Sequence, residues 1–335
     1  MIAVHKNIVN AVQSTFKSEI EQQRLLAISR LNDLNAITLA GPDKVYLESI
    51  IALFTNNLDF LLWDAEKLKY KKDSIGPIPL VPKIVNGIHV TVNGIPKYVK
   101  SKIKDKILLK LGYKGLRSSF YPKYFKEIGI KACIYCNSQL TISAIKNAKK
   151  EFSAKFDVDH YHSKDDYPFL SISLFNLYPA CASCNRLKST NPIEFELYSD
   201  DASKVKKSSY KFKLDSKSKA KYLTNKNSNE IEFSFEEPPY NLGIKKFNEV
   251  FHIEGIYQTQ LDLTEELIIK SQMYNSSYLK TLQDNFSKLN LHPELFKRTL
   301  IGSYTEDKDL HKRPISKLVM DIAKELELIK KIDSI

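Results

Sequence analysis

The chain has 335 residues, with 51 Lys plus Arg against 39 Asp plus Glu for a formal net charge of +12, and 43% of it is hydrophobic and 11% aromatic. That is enough apolar material for a real core and describes one large or two small soluble globular domains. No charged-then-apolar leader and no unbroken apolar run near the ~18 residues of a membrane span is found, so the sequence argues against a secretory or membrane protein and for the cytoplasm.

The cationic excess raises the local concentration of a polyanion and suggests nucleic acid bound mainly through its phosphates. A lysine-rich genome would give the same excess. Residues 1 to about 74 predict two long helices. Val4, Ile8, Val12, Phe16 and Ile20 recur at near-helical spacing; after the Gly41-Pro42-Asp43 break, Val45, Leu47, Ile50, Ile51, Phe54, Leu58, Leu61 and Leu62 continue the stripe. Ser74 to Pro82, with Gly76, Pro77 and Pro79, is a stiff connector. Beyond it, Asn86-Gly87 and Asn93-Gly94 read as tight turns flanking a short strand that includes His89 to Val92. From Lys97 to Leu111, the residues Val99, Ile103, Ile107 and Leu111 fall every four positions, with five lysines on the other face. Such a helix presents a solvated basic face by default and a phosphate grip as the alternative. Phe120, Tyr121, Tyr124 and Phe125 are expected to pack under the first cysteine pair.

All four cysteines lie between residues 133 and 184, as Cys133 and Cys136 in one C-x-x-C and Cys181 and Cys184 in another. Two such knuckles can close four thiolates around one tetrahedral Zn²⁺, and with no cysteine left over a disulfide framework is not expected. A closed four-sulfur site is structural, one zinc per chain. The 44 residues between the pairs carry the ionisable groups. Phe156, Val158 and Tyr161 alternate with Asp157, Asp159 and His160 as in a strand, and Cys184 and Asn185 lead into a short helix that stops before Pro192. A carboxylate, an imidazole and an amide would then meet across a small cleft.

In the residues Asp159-His160, Asn176-Leu177 and Cys181 to Lys188, preceded by the Cys133 to Cys136 knuckle, the chain resembles the HNH endonuclease family. The resemblance covers about a sixth of the chain. It implies a zinc-stabilised ββα-metal core at 116–195; with a helical N-terminal region carrying a short β element at 1–115 and a mixed, mostly helical C-terminal region at 196–335, the expected fold is α+β. It further implies His160 as general base, Asp159 and Asn185 as ligands of a catalytic Mg²⁺ or Mn²⁺, and Asn176 as the residue fixing the loop that orients the base. An imidazole with a pKa near ~6.5 suits activation of water, and a hard cation suits relief of charge on phosphate. His162, Lys164 and Lys188 are candidates for phosphate contact; for Lys188, helix solubility is an equal alternative. The last position is Asn185 where the family often has His.

Past the core, residues 196–225 hold eight lysines and many serines and read as a mobile loop or a substrate-facing arm. Ile231 to Phe235 alternates like a strand, with Val250 to Ile256 as its partner. Asp262 to Glu265 resembles a capping box opening a helix toward Asp284, and a last helix starts at Arg313-Pro314 and buries Ile315, Leu318, Val319, Ile322, Leu326 and Ile329. No internal repeat and no second catalytic pattern is evident. The expected function is metal-dependent cleavage of a nucleic-acid backbone, DNA before RNA. A zinc-knuckled HNH core with long helical flanks also resembles the nucleases of bacterial anti-phage systems such as the Septu type, which act beside an ATPase partner. The alternative is a zinc-stabilised nucleic-acid-binding or scaffolding module without catalysis.

Overall fold

The computed structural model describes residues 1–147, 151–290 and 292–334. The N-terminal stripe folds as β1 (Val4–His5) and four helices, α1 (Lys6–Thr15), α2 (Lys17–Ala36), α3 (Pro42–Asn56) and α4 (Ala65–Ile75), where two were expected. Because α1 begins only after a strand, the helical phase does not run back to Val4: Val9 and Val12 are buried and Ile8 is exposed. Val45 and Leu58 also face outward. Pro42 sits in the first turn of α3, where its missing N–H costs nothing, and Asp64 starts α4 by accepting from the Lys67 amide at 3.0 Å.

The connector opens into six short strands, β2 (Leu80–Pro82), β3 (Ile84–Val85), β4 (Ile88–His89), β5 (Thr91–Val92), β6 (Ile95–Pro96) and β7 (Tyr98–Lys100). β2 and β7 form an antiparallel stem that carries two hairpins, β3–β4 and β5–β6. The turns are Asn86-Gly87 (φ 51° and 79°) and Asn93-Gly94 (φ 52° and 78°), the paired left-handed residues a two-residue hairpin needs. The strand expected over His89 to Val92 is instead divided at Val90. There the backbone closes a ring: Lys83 N donates to Lys97 O (2.7 Å), Lys97 N to Val90 O (2.8 Å) and Val90 N to Lys83 O (2.8 Å). The ring positions are seven residues apart, and Val85-Asn86-Gly87-Ile88 recurs as Val92-Asn93-Gly94-Ile95. The chain therefore does contain an internal repeat, one far shorter than the 20 to 50 residues or so of solenoid units.

α5 (Ile103–Leu111) buries Ile103, Ile107 and Leu111 as its spacing predicts, but starts later than Lys97, after Ser101, whose Oγ accepts from the Ile103 amide at 3.2 Å. It is followed by α6 (Tyr113–Ser119) and α7 (Tyr121–Ile128). Phe120, Tyr121, Tyr124 and Phe125 are buried, yet they pack against Phe16, Tyr113 and Phe156, not beneath the knuckle. The aromatic floor there is Phe195, Phe247 and Phe251 around Tyr135. The hairpin β8 (Ile142–Ile145) and β9 (Phe152–Lys155) precedes β10 (Asp157–His160), which pairs antiparallel with β11 (Leu177–Ala180) and leads into α8 (Ala182–Lys188).

The lysine-rich stretch is neither loop nor free arm. It forms β12 (Tyr198–Ser199), α9 (Ala202–Lys206), β13 (Lys211–Leu214) and α10 (Ser216–Asn225), with Asp201 and Asp215 as side-chain caps. β12 pairs in parallel with β1. β14 (Phe233–Glu236) pairs with β13; the segment expected beside it forms α11 (Phe247–Phe251) and α12 (Ile253–Tyr257). α13 (Leu261–Met273) starts without a side-chain cap, and Asn275 ends its run by capping α14 (Ser276–Ser287). α15 (Pro293–Ile301), α16 (Ser316–Glu325) and α17 (Leu328–Asp333) complete the chain; α16 begins past Pro314 and buries Leu318, Val319 and Ile322. The result is a mixed α+β architecture in which one apolar cluster runs from Met1 to Ile332. Among the described residues no helix is long and apolar enough to cross a membrane.

Candidate functional site

The four cysteine sulfurs converge from two elements, the loop after α7 and the first turn of α8, where Cys181 is the N-cap. All four are buried and their Sγ atoms lie within 4.8 Å of one another, with Cys136 and Cys181 at 3.9 Å. Four thiolates about 2.3 Å from one tetrahedral ion would sit roughly 3.8 Å apart, so the cluster could hold a metal such as zinc. Donors are already aimed at the sulfurs: Cys181 N at Cys133 Sγ (3.3 Å), Cys184 N at Cys181 Sγ (3.5 Å), and Ser138 N and Oγ at Cys136 Sγ (3.5 and 3.1 Å). The thiols titrate against each other. Hydrogen bonds from Cys133 and its neighbours push Cys136 down and those around Cys184 push it up, while burial raises Cys133. A cation among them removes that conflict by favouring every thiolate.

The C-terminal region holds the first knuckle in place. Asn137, at φ 53°, donates Nδ2 to Leu310 O (2.8 Å), accepts the Lys317 amide on Oδ1 (2.9 Å) and accepts the Ile315 amide on its carbonyl (2.5 Å). Tyr257 donates its hydroxyl to Cys136 O at 2.8 Å. Nothing in the knuckle motif itself points to partners more than 100 residues downstream.

Strand alternation in β10 sends Asp157 and Asp159 to one face and Val158 and His160 to the other. α8 covers the carboxylate face with Asn185 and Lys188, one turn apart. Asn185 donates Nδ2 to Asp157 Oδ2 (3.0 Å), and Arg117 pairs with the other oxygen of Asp157 (3.0 Å). Asp159 Oδ2 accepts from the Tyr135 hydroxyl (2.5 Å) and lies 3.3 Å from Lys188 Nζ. Burial pushes the Asp159 carboxyl up, against the opposing pull of Lys188 and Tyr135. Asp159, His160, Lys164 and Asn185 line one cavity of about 310 Å³, together with Arg186, Ser189 and Thr190.

His160 is 3% exposed. Its Nε2 donates to the Ser171 carbonyl at 3.1 Å; a carbonyl can only accept, so the neutral ring carries its lone pair on Nδ1, which has no partner among the described residues. Burial, then Lys164, holds the imidazolium well below the ordinary range. Asn176 ties the loop after His160 to the turn before it: Oδ1 accepts the His162 amide (2.7 Å), and Nδ2 donates to His162 O (3.1 Å) and Leu170 O (3.0 Å).

The other phosphate candidates part company. Lys164 borders the cavity with its ammonium 5.6 Å from the Tyr113 ring centroid. His162 lies outside it, beside Tyr161 and Tyr167, and burial pushes it down to about 4. Lys188 is neither a phosphate contact nor a solubilising residue here: it is 1% exposed and spends its ammonium on Asp159 and on His160 O at 2.7 Å. The sequence reading passed over Tyr135, Arg117, Arg186 and the role of Asp157. Asp157 stands two places before Asp159, which was the signal that both share a face. Comparison of the chain with protein-family models, with curated proteins and with solved structures gives no match in any of the three.

Proposed function

We propose that the chain is a metal-dependent endonuclease of the HNH type that hydrolyses nucleic-acid phosphodiester bonds, DNA before RNA. One observation carries the reading: an imidazole with its lone pair fixed on Nδ1 borders the same cavity as a carboxylate and an amide mounted on a cysteine-clasped helix. His160 Nδ1 takes the proton of the attacking water, and the Ser171 carbonyl keeps the ring from turning. Asn176 holds the loop that carries that geometry. Asp159 and Asn185 would hold the divalent cation, Mg²⁺ or Mn²⁺, which when bound relieves charge on the phosphate and the leaving oxygen. Asn185 fits that role, its Oδ1 having no hydrogen-bond partner among the described residues and its Nδ2 being committed to Asp157, whereas Asp159 Oδ2 already accepts from Tyr135 and lies 3.3 Å from Lys188 Nζ. Lys164 and Arg186 supply cations for the phosphate oxygens. The four cysteines would hold zinc, and Cys184, fixed by it, would mount Asn185 beside it.

The test is nicking of supercoiled plasmid with and without Mg²⁺ or Mn²⁺. His160→Ala and Asn185→Ala should each lose on the order of 10²-fold or more; equal nicking by wild type and both variants would overturn the assignment. The burial of His160 and the occupation of Asp159 by Lys188 favour a second reading, a zinc-stabilised nucleic-acid-binding or scaffolding module. DNA retained without cleavage under either metal would select it. The resemblance to Septu-type nucleases adds a role in anti-phage defence beside an ATPase partner, with low activity of the isolated chain. A purified chain that degrades DNA freely and copurifies with nothing removes that part.

A further inference from the structure

The three-leaved arm of β2 to β7 is built stiffly and left uncovered. Its hydrogen-bonded ring fixes the leaves to one another, and its base is pinned to the core by Ile78 N on Asp166 O (2.7 Å), by Lys100 on Asp166 (2.6 Å) and by Ser101 Oγ on Asp43 (2.7 Å). Outward from that base most of the large apolar side chains are aliphatic and exposed: Ile88 is 72% and Ile95 68% accessible, and Leu80, Ile84, Val92 and the aromatic Tyr98 are exposed too. Exposed apolar side chains gathered on one hydrogen-bonded projection mark an interaction site. Charge limits what fits it. From Ser74 to Lys104 there is no carboxylate and there are five lysines. Lys100 and Lys104 pair with Asp166 and Asp165, whereas Lys83, Lys97 and Lys102 make no ion pair among the described residues.

We propose that this arm docks a protein partner whose contact surface is apolar and bordered by carboxylates. A second copy is disfavoured, since it would bring like-charged arms together in a chain of net charge +12. Nucleic acid fits less well. The unpaired lysines at 83 and 97 sit in the ring at the leaf bases, the tips are Asn-Gly, no arginine is present between residues 74 and 104, and His89 and Tyr98 are the exposed aromatic rings of the arm, the rest of its exposed apolar side chains being aliphatic and unable to stack on bases. A bilayer would have to take up the Asn-Gly turn backbone before reaching the isoleucines, leaving polar groups unpaired.

The test places photoreactive p-benzoylphenylalanine at position 88 and, separately, at 95 of the full-length chain in the cell that naturally makes it. Both should yield one protein adduct, mapped to an apolar segment with Asp or Glu on its flanks, and Lys83→Glu with Lys97→Glu should cut its yield by about fivefold or more. A nucleic-acid, lipid or self adduct, no adduct, an adduct indifferent to the charge reversal, or one mapped to a segment without carboxylates overturns the proposal. A second variant, Ile84→Ser with Val92→Ser, keeps the ring and leaves positions 88 and 95 for the photoreactive residue; an unchanged melting temperature and a lost adduct are expected. If that variant instead weakens binding of duplex DNA or of phosphatidylserine vesicles by about fivefold, the arm serves those ligands and the proposal fails. The inference is independent of the cleavage assignment, since the nicking assay reads His160 and Asn185 and this one reads the leaves.

Discussion

His311 shows how a single side chain couples this fold to pH. Its Nε2 donates to Ile2 O at 2.8 Å, its Nδ1 is buried without a partner, and burial pushes its pKa down to about 4. The unfolded chain takes up a proton on this group below about 6.5 and the folded chain does not. Its contribution is therefore complete above that value and is lost as pH falls toward 4. The expected loss is on the order of 3 kcal/mol. Urea unfolding at pH 7.5 and pH 5 should show about 2 kcal/mol of it, and His311→Gln should flatten the difference; an equal difference in both proteins would remove His311 as the cause. At the same scale, the motif singled out Asp159, His160 and Asn185, which border one cavity, and Asn176, which ties down the loop after His160. The use of Lys188 was not. A lysine four residues from Cys184 looks like any solvated helix lysine until the strand beneath it is known to carry Asp159.

Among the elements, the two knuckles carry the strongest expectation. Metal analysis should find about one zinc per chain, and Cys184→Ser should lose the metal and much of the stability together, because binding and folding of such clusters are coupled. A well-folded, active Cys184→Ser protein would contradict the mount assigned to Asn185. Local chemistry made some elements readable: Asn-Gly pairs announce hairpins, and Ile103, Ile107 and Leu111 announce the buried stripe of α5. Others hid behind composition. β13 reads Lys-Phe-Lys-Leu, burying Phe212 and Leu214 in the alternation of a strand, but its lysines and the serines around it gave the stretch the look of a loop. The helix starts slipped for a different reason, since Ser101 and Asn275 set boundaries through side-chain bonds that periodicity does not see.

Across the whole molecule, the regions drawn from sequence at 1–115, 116–195 and 196–335 share structure as well as a core. β1 pairs with β12, Tyr113 donates to Val158 O at 3.0 Å, and Tyr257 and the Leu310 to Lys317 stretch bind the first knuckle. The segment 116–195 expressed alone with Zn²⁺ should give no cooperative melt, and the full chain should give one; a fragment that melts cooperatively with bound zinc would show the core to be autonomous. These long-range ties are what composition and spacing cannot supply, since each ends on a backbone group that carries no sequence signature. They also set an order of events on the ribosome. Cys133 and Cys136 leave the exit tunnel long before the residues that fix Asn137, so the contacts that hold the first knuckle form only after about 180 more residues have emerged.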